Sequence, residues 1–453
     1  MTLEELCTRR VVIWGAGMEG LALGRLLAGR GCVPALVDDR AGEVAGAVAA
    51  ALGPGVPVFP PAAVPWSSFD VVVRSPGVSR YRPELAAAEA AGVAVTTPMA
   101  VWLEDVRDAT VLAVTGTKGK STTASLAAAI LARQGLSVAL VGNIGSPVTD
   151  RYGADPVDAS VVEVSSYQAT DVTVSPRVCV LTSLAPDHLD WHGGEEAYYR
   201  DKLRLVTAGP PGALAVGAAS PEAVARTAGH PQRLLYGPEG RVRLAPDGIV
   251  TVDGAPVVDS RRLRVPGEHN RLNLCGAVAG VLLLLGEAPS AEAVGAAADA
   301  YTGLPSRCHP VGERGGLEFV DDALASNPFA TVASLGSFPD RELTVIVGGA
   351  DRGTDPAALL RALETRRPVP RVVVLGGSTD RASAALSSPG APVPVTVSGD
   401  MADAVAAAVS VTPPGGVVLF SPSAPTPGAG LGYRQRSREF VSAAGLGETA
   451  DGQ

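Results

Sequence analysis

The sequence predicts an α/β fold built of mainly parallel sheets flanked by helices. Short β-branched runs alternate with Ala- and Leu-rich stretches of helical character, and Gly-rich turns follow several of these runs. Near-continuous β-branched runs are typical of strands buried on both faces, as in parallel sheets that helices cover. A chain of 453 residues has room for roughly two to four domains of ordinary size.

The strand candidates are apolar runs spaced along the whole chain. They are Val11–Trp14, Val71–Val73, Val111–Val114, Val161–Val164, Val178–Leu181, Leu317–Val320, Thr344–Val347, Val372–Leu375 and Val417–Phe420. Helices are predicted over Thr123–Arg133 and Leu274–Leu285. Residues 208–260 combine Pro, Gly and short apolar runs, so we predict an irregular, β-containing insertion there.

Two boundaries divide the chain into three predicted domains. A charged stretch at Asp105–Asp108 precedes one new strand, and the Pro- and Gly-containing segment Leu304–Gly316 precedes another. Because domain boundaries fall in polar linkers, we predict domains over residues 1–108, 109–307 and 308–453.

Composition narrows the class of protein. The net charge of −9 argues against an overall basic nucleic-acid binder, and 46% apolar residues argue against disorder. Five cysteines without a CxxC pair fit a reducing cytoplasm. The N-terminus lacks a signal-peptide pattern, and the longest apolar run, near Ala277–Leu285, is too short to span a membrane. We therefore expect a cytoplasmic, multi-domain enzyme without nucleic-acid partners or membrane insertion.

The strongest motif is a Gly-rich turn between a predicted strand and a predicted helix, Gly116-Thr117-Lys118-Gly119-Lys120-Ser121-Thr122. Backbone N–H groups of such a turn and the helix N-terminus attract phosphate. Lys120 can bridge β- and γ-phosphates, and Ser121 can ligate Mg²⁺. The turn is shorter than the full GxxxxGK[ST] pattern, and the alternative is an ordinary Gly turn with a chance Lys-Ser.

A second Gly turn, Gly15–Gly20, also follows a strand and precedes a helix. Asp38 and Asp39 end the next strand, about 20 residues on, where an acid can bind a ribose hydroxyl. The pattern GxGxxG alone is weak, and any nucleotide diphosphate suits it. The alternative is a tight turn without a ligand.

Polar residues after later strands are candidates for metal and phosphate chemistry. Glu163 ends a buried strand and could hold Mg²⁺ or simply cap a helix, and His188 lies between two acids. Spacing alone indicates that Lys202 is a solvated helix lysine. His192 and His309 belong to no motif and are interpreted as surface or packing residues.

Further candidates lie in the last part of the chain. Asn270 and Asn273 are three residues apart, so a helix would place both on one face, near a nucleotide or as caps. Gly348–Gly353, which includes Arg352, follows one strand, and Ser421–Ala424 follows another. Ligands of open α/β sheets gather at such carboxyl ends of strands.

Together these motifs resemble the Mur ligase family, in order and over nearly the whole chain. The matching segments are GAGMEG (15–20), SPG (75–77), TGTKGKSTT (115–123), GNIG (142–145), EVSSYQ (163–168), DHLD (187–190), YYRDKL (198–203), GEHNRLN (267–273), LPSRC (304–308), DDALASNP (321–328), GGADRG (348–353) and SPSAP (421–425).

The resemblance implies three α/β domains, which are Rossmann-like at the N-terminus, P-loop-ATPase-like in the centre and Rossmann-like at the C-terminus. It implies a monomeric, ATP-dependent ligase of peptidoglycan synthesis, and hence of cell-wall growth and division. This enzyme would add glutamate to UDP-N-acetylmuramoyl-L-alanine through an acyl phosphate, with ATP and two Mg²⁺.

The resemblance also implies roles for individual residues. The UDP-substrate would contact Gly15, Ala16, Gly17, Met18, Asp38, Asp39, Arg40, Ser75, Pro76, Gly77 and Asn143. ATP would contact Gly116, Thr117, Lys118, Gly119, Lys120, Ser121, Thr122, Asn270, Arg307 and Asp322. The catalytic set would be Lys120, Glu163, His188 and Lys202, the metal ligands Ser121, Glu163, His188 and a carbamylated Lys202, and the glutamate ligands Arg352 and Ser421.

Three departures from the D-glutamate-adding members predict L-glutamate as the amino acid. Leu324 stands where those members carry a lysine, the loop Ser421–Gly428 differs, and the phosphate loop reads Lys-Gly-Lys. D-glutamate remains possible, because specificity can depend on a few pocket contacts. Parts of the sequence also fit a non-catalytic nucleotide-binding relative, an NAD-dependent oxidoreductase or a folylpolyglutamate synthase.

Overall fold

The structure is a computed structural model that describes residues 1–265, 267–351, 353–427 and 432–447. Three mainly parallel sheets flanked by helices confirm the predicted α/β fold class. The chain forms two compact units, one of Met1–Arg262 with Leu272–Ala298, and one of Leu263–Arg271 with Asp299–Gln453. The domain limits at residues 108 and 307 stay a prediction.

The first sheet is entirely parallel, with the order β3-β2-β1-β4-β5. Its strands are β1 (Val11–Trp14), β2 (Ala35–Val37), β3 (Val58–Phe59), β4 (Val71–Arg74) and β5 (Ala94–Thr96). The helices are α1 (Leu3–Cys7), α2 (Met18–Ala28), α3 (Ala41–Leu52), α4 (Pro83–Ala90) and α5 (Pro98–Asp105). The strand order reverses at β1, and ligands of open sheets bind at such a reversal.

The second sheet places β6 between β8 and β9 in the order β14-β13-β12-β11-β10-β9-β6-β8-β7. The strands are β6 (Val111–Thr115), β7 (Val138–Gly142), β8 (Ala159–Glu163), β9 (Val178–Leu181), β10 (Ala213–Gly217), β11 (Arg233–Gly237), β12 (Val242–Leu244), β13 (Ile249–Val252) and β14 (Ala255–Asp259). The helices are α6 (Lys120–Arg133), α7 (Ser166–Ala169), α8 (Leu189–His192), α9 (Glu195–Thr207), α10 (Pro221–Arg226), α11 (Glu268–Leu285) and α12 (Ala291–Ala300).

The segment 208–260 is more regular than predicted. It continues the second sheet with two parallel strands, β10 and β11, and with a short strand β12 that leads into an antiparallel β12-β13-β14 edge. Tight turns with glycine at positive φ, such as Gly254 at 84°, connect strands of only three to five residues. Such short edge strands carry a weak apolar pattern, which explains the difference.

The third sheet has the order β15-β16-β20-β17-β18-β19, and only β15 is antiparallel to its neighbour. The strands are β15 (His309–Arg314), β16 (Leu317–Asp321), β17 (Leu343–Val347), β18 (Arg371–Val374), β19 (Val395–Val397) and β20 (Val417–Phe420). The helices are α13 (Pro328–Leu335), α14 (Ala357–Thr365), α15 (Arg381–Leu386), α16 (Met401–Val411) and α17 (Tyr433–Ala443).

The apolar runs supply the cores, as predicted. One interior strand of each sheet, β1, β6 or β17, is buried along its whole length. All five cysteines are free thiols. Among the described residues, no helix combines the length and apolar character that a membrane crossing requires.

Candidate active site

The turn between β6 and α6 is held in one shape by its two glycines. Gly116 has a φ of 141°, and a Cβ there would lie 2.0 Å from Thr182 Oγ1. Gly119 has a φ of 87°, and a Cβ would lie 2.3 Å from Asn273 Oδ1. The Thr117 amide donates to the Ser183 carbonyl at 2.8 Å. The turn is thus fixed before any ligand arrives, with the N-terminus of α6 available to an anion.

Three residues predicted for metal or substrate binding lie together beside this turn. Ser121 donates to Glu163 Oε2 at 2.5 Å, and Asn143 Nδ2 donates to Glu163 Oε1 at 2.8 Å. The Glu163 side chain is fully buried at the end of β8. Lys120 reaches back along the turn, with its Nζ 3.1 Å from the Thr117 carbonyl. Oxygen ligands and a cation therefore meet where a phosphate would lie.

Lys202 is buried, contrary to the interpretation from spacing. Only 2% of the residue is exposed, and its Nζ donates to the Gly116 carbonyl at 2.9 Å. The Nζ also lies 5.1 Å from the centre of the Tyr198 ring. Burial, with the nearby charge of Lys120, holds the pKa of Lys202 well below its ordinary value. The structure thus places a buried amine directly under the phosphate-binding turn.

His188 and Asp187 form a second polar group near the same turn. Lys118 Nζ lies 3.5 Å from Asp187 Oδ2, and His188 Nδ1 lies 3.7 Å from Asp187 Oδ1. Desolvation by its neighbours lowers the pKa of His188 to about 4, although 38% of its side chain is exposed, and this favours a neutral imidazole. The His188 ring packs against Tyr167, with ring centres 4.9 Å apart. A neutral imidazole can bind a metal or accept a hydrogen bond.

The Gly15–Gly20 turn lies at the strand-order reversal of the first sheet. Gly15 has a φ of 104°, and Ser75 donates to its carbonyl at 3.1 Å. Asp38 Oδ2 accepts the Ala16 amide at 2.9 Å. The Met18 side chain is 72% exposed at the start of α2. The helix N-terminus is therefore open to an anion, while Asp38 already holds the turn.

Acidic groups next to this turn have protein partners. Asp39 forms a two-bond pair with Arg82, at 2.7 and 2.9 Å. Gln168 Nε2 donates to Glu19 Oε1 at 2.9 Å, and the other Glu19 oxygen is buried without a hydrogen bond in the described part of the chain. Burial raises the pKa of Glu19. The remaining candidates, Arg40, Pro76 and Gly77, lie in loops after β2 and β4.

In the second unit, Arg307 lies in a strained turn. Its two neighbours, Ser306 and Cys308, have φ values of 60° and 48°. Ser306 donates to Asp321 Oδ2 at 2.9 Å, and the Cys308 amide donates to Asp322 Oδ1 at 3.0 Å. Left-handed backbone at two non-glycine residues is costly, and the hydrogen bonds of Ser306 and Cys308 hold this turn in place.

Asp322 is the centre of a buried hydrogen-bond cluster in the second unit. Ser334 and Ser421 donate to its Oδ2 at 2.6 and 2.7 Å, and burial raises its pKa to about 6. Ser421 is fully buried, and its hydroxyl is engaged by Asp322. Asn270 is buried in the first turn of α11. Arg352 lies outside the described residues, and its predicted role with glutamate stays a prediction.

Sequence reasoning missed a buried network around His192. Its Nδ1 lies 2.6 Å from Asp201 Oδ2 and its Nε2 lies 3.0 Å from Ser166 Oγ. The Tyr81 hydroxyl donates to the same Asp201 carboxylate. Helical spacing could have indicated this network. Asp201 follows the buried Tyr198 by three residues and therefore lies on the same face of α9 as Tyr198.

Two family models match the chain: the Mur ligase middle domain over residues 114–281, and the Mur ligase, glutamate ligase domain over residues 306–424. The UDP-N-acetylmuramoyl-L-alanine–L-glutamate ligase of Salinispora tropica is 39% identical over 452 residues, covering 98% of this chain and 99% of that relative. A Micromonospora ligase of the same name is 40% identical over 458 residues, covering 98% of each chain.

The fold is also similar to that of a solved ligase structure. The crystal structure of UDP-N-acetylmuramate–alanine ligase from Thermotoga maritima aligns with a TM-score of 0.60 at 19% identity, covering 96% of this chain and 99% of that chain. Together, the turn geometry and the full-length relatives confirm the predicted family. The chain belongs to the Mur ligase family of ATP-dependent, amide-bond-forming enzymes.

Proposed function

We propose that this enzyme joins L-glutamate to UDP-N-acetylmuramoyl-L-alanine in cytoplasmic peptidoglycan precursor synthesis. The names of the full-length relatives support the substrate and the enantiomer. The observation that carries the proposal is the cluster of Lys120, Ser121, Glu163 and Lys202 around the β6–α6 turn. This cluster supplies the cation and the oxygen ligands that phosphoryl transfer from ATP requires, with the buried amine of Lys202 beside them.

The γ-phosphate of ATP is proposed to lie at the N-terminus of α6. The Lys120 ammonium would neutralise charge on the transferring phosphoryl group, and the Thr117–Gly119 backbone would fix its position. Lys118 is 46% exposed and already paired with Asp187, so it would contribute less. Asn270, Arg307 and Asp322 remain predicted ATP contacts.

Mg²⁺ fits the residues beside the turn. Magnesium prefers oxygen ligands and retains several waters. Ser121 and Glu163 supply oxygens 2.5 Å apart, and the neutral His188 is a further candidate ligand. No group of three or more His, Cys, Asp or Glu side chains that could hold a metal occurs among the described residues. A carbamate on Lys202 would add oxygen ligands, and the depressed pKa of that amine favours its reaction with CO₂. When bound, Mg²⁺ would neutralise phosphate charge.

The proposed reaction first activates the alanyl carboxylate, which is a poor electrophile. An amine cannot displace oxide from a free carboxylate, so the alanyl carboxylate first attacks the γ-phosphorus of ATP and ADP leaves. The resulting acyl phosphate carries a good leaving group. The glutamate amine adds to the acyl carbon, loses a proton, and the tetrahedral intermediate collapses to the amide and phosphate.

L-glutamate is proposed over D-glutamate on residues as well as names. Leu324 is partly buried in the second unit and cannot supply the cation that the D-glutamate-adding members carry there. The loop that begins at Ser421 includes Ser423 at a φ of 62°, with a buried hydroxyl that has no hydrogen bond in the described residues. An unsatisfied buried hydroxyl in a strained loop indicates a position suited to a ligand.

The test is phosphate release from ATP with each substrate omitted in turn. We expect release only when ATP, UDP-N-acetylmuramoyl-L-alanine and L-glutamate are present together, and at least about tenfold faster turnover with L- than with D-glutamate. Release without the nucleotide-sugar would contradict the ligase assignment. Equal or faster turnover with D-glutamate would overturn the enantiomer alone.

A further inference from the structure

His192 is the centre of a polar hydrogen-bond network in the first unit. The residue has no exposed surface, and both ring nitrogens have a partner. Three aromatic rings surround it, with centres 4.5 Å (Trp191), 5.3 Å (Tyr198) and 5.7 Å (Tyr167) away. A buried imidazole held at both nitrogens has one orientation and one tautomer.

The first arm of the network ends beside Lys202. His192 Nδ1 binds Asp201 Oδ2 at 2.6 Å, and Asp201 is the residue before Lys202 on α9. The Tyr81 hydroxyl binds both Asp201 oxygens, at 2.9 and 3.0 Å, from the segment between β4 and α4. Asp201 is therefore fixed by the first sheet and by α8 together.

The second arm ends beside Glu163. His192 Nε2 lies 3.0 Å from Ser166 Oγ, at the first residue of α7. Ser166 follows β8, whose last residue is Glu163, by a short turn. His192 thus joins the helix that carries Lys202 to the segment that carries Glu163.

We propose that His192 is a positioning residue for the ligase reaction. Through Asp201 it holds α9 in the place where Lys202 meets the Gly116 carbonyl, and Ser166 anchors the imidazole. The inference rests on the proposed roles of Lys202 and Glu163. The Asp201 carboxylate requires the proton on Nδ1, so Nε2 accepts the Ser166 hydroxyl.

Two amide variants test the hydrogen bonds of His192 to Asp201 and to Ser166 separately. In His192→Asn the amide nitrogen can replace Nδ1 and keep the Asp201 bond, whereas in His192→Gln the amide can replace Nε2 and keep only the Ser166 bond. His192→Phe fills the space without either bond. We expect His192→Gln and His192→Phe to lower kcat by about 10- to 100-fold, with KM for ATP within about threefold, and His192→Asn to lose much less.

A packing role predicts the opposite order, with His192→Phe the most active because it best preserves volume. Equal losses in the Asn and Gln variants would also overturn the proposal. Melting temperatures identify any variant that fails to fold, and the Asn–Gln pair alone still decides.

A pair of tyrosine variants tests the link to the first sheet. Tyr81→Phe removes the hydroxyl that contacts both Asp201 oxygens, and Tyr152→Phe removes a hydroxyl bond to Asp105 outside the network. Because Tyr81 and His192 hold the same carboxylate, the effects of Tyr81→Phe and His192→Gln on kcat should not add. Tyr152→Phe should leave kcat unchanged, and additive Tyr81 effects would contradict the coupling.

A spectroscopic measurement tests the network without turnover. Long-range ¹H–¹⁵N spectra of histidine-labelled protein should show His192 as the Nδ1–H tautomer, with its signals shifted by Tyr81→Phe and not by Tyr152→Phe. An Nε2–H tautomer would overturn the inference. If the wild-type enzyme lacks ligase activity, the proposed function fails, while this spectrum still tests the hydrogen bonds that His192 makes to Asp201 and Ser166.

Discussion

Two glycine-rich turns have the same backbone arrangement but carry side chains of opposite charge. They are Gly15–Gly20 and Gly116–Ser121. Each follows a fully buried parallel strand and precedes a helix, and each has a glycine at positive φ against a neighbouring hydroxyl residue. The second turn has Lys118 and Lys120 within it, whereas the first has Glu19. Cations are concentrated where a phosphoryl group would be transferred, and are absent from the described turn where a diphosphate would only be held.

The net charge of −9 is compatible with anionic substrates, because Lys118 and Lys120 lie at the turn where a phosphate would bind. Each prediction below changes the charge of one turn, or of a group that supports it, and measures the consequence.

The largest effect is expected for Lys120→Met. Loss of the ammonium removes charge stabilisation of the transferring phosphoryl group, so kcat should fall by about 10²- to 10³-fold. Arg133→Met, in the exposed last turn of the same helix, is the control and should retain wild-type kcat. A Lys120→Met enzyme with near-normal phosphate release would remove this turn from the chemistry.

Lys202→Met should separate activity from stability. We expect kcat to fall by about 10- to 100-fold, because the amine beneath the turn is lost. The melting temperature should not fall, because methionine fills the space without the cost of a buried amine. Lys118→Met, at a half-exposed position, should have a smaller effect on kcat. A large loss of stability with unchanged kcat would make Lys202 a purely structural residue.

Glu19→Gln tests the effect of the negative charge at the Gly15–Gly20 turn. Removal of a negative charge near the first turn should lower KM for UDP-N-acetylmuramoyl-L-alanine by about three- to tenfold and leave KM for ATP unchanged. Glu43→Gln, on exposed α3, should change neither value. A change in KM for ATP would assign Glu19 to the other turn.

Asp322→Asn tests a group that supports the second unit. Burial raises the pKa of Asp322 from an ordinary 3.8 to about 6, so the folded state binds this proton more tightly than the unfolded state. Its contribution to stability is therefore greatest at low pH and is lost as pH rises from about 4 to 6, by up to about 3 kcal/mol. The difference in melting temperature between pH 4.5 and 6.5 should shift in Asp322→Asn by the amount of this lost contribution, and not in the exposed Asp355→Asn. Identical pH profiles for wild type and Asp322→Asn would contradict the shift.

The sequence predicts the fold well where burial is continuous. The strands Val11–Trp14, Val178–Leu181 and Val417–Phe420 are predicted to the residue, because β-branched runs buried on both faces have few alternatives. The helix α11 starts six residues before the prediction, since its first turn is polar. Short edge strands such as β12 leave too weak a pattern to predict.

In the candidate site, too, the sequence predicts some side-chain environments and not others. The shape of the phosphate turn follows from its motif, because local backbone geometry requires its glycines. The burial of Lys202 and His192 depends on partners far away in sequence, such as Gly116 and Ser166. A polar residue on a buried helix face is expected to have a hydrogen-bond partner, but the sequence does not identify that partner.

The most direct test of the two-turn account is a pair of calorimetric titrations. UDP and a non-hydrolysable ATP analogue with Mg²⁺ are titrated separately into wild type, Lys120→Met and Met18→Asp. Because Met18 is 72% exposed, the aspartate should not disturb folding. We predict that Met18→Asp weakens UDP binding about tenfold with ATP-analogue binding unchanged, and that Lys120→Met does the reverse. Weakening of both ligands by either variant, or of neither, would contradict the assignment of two nucleotides to two turns.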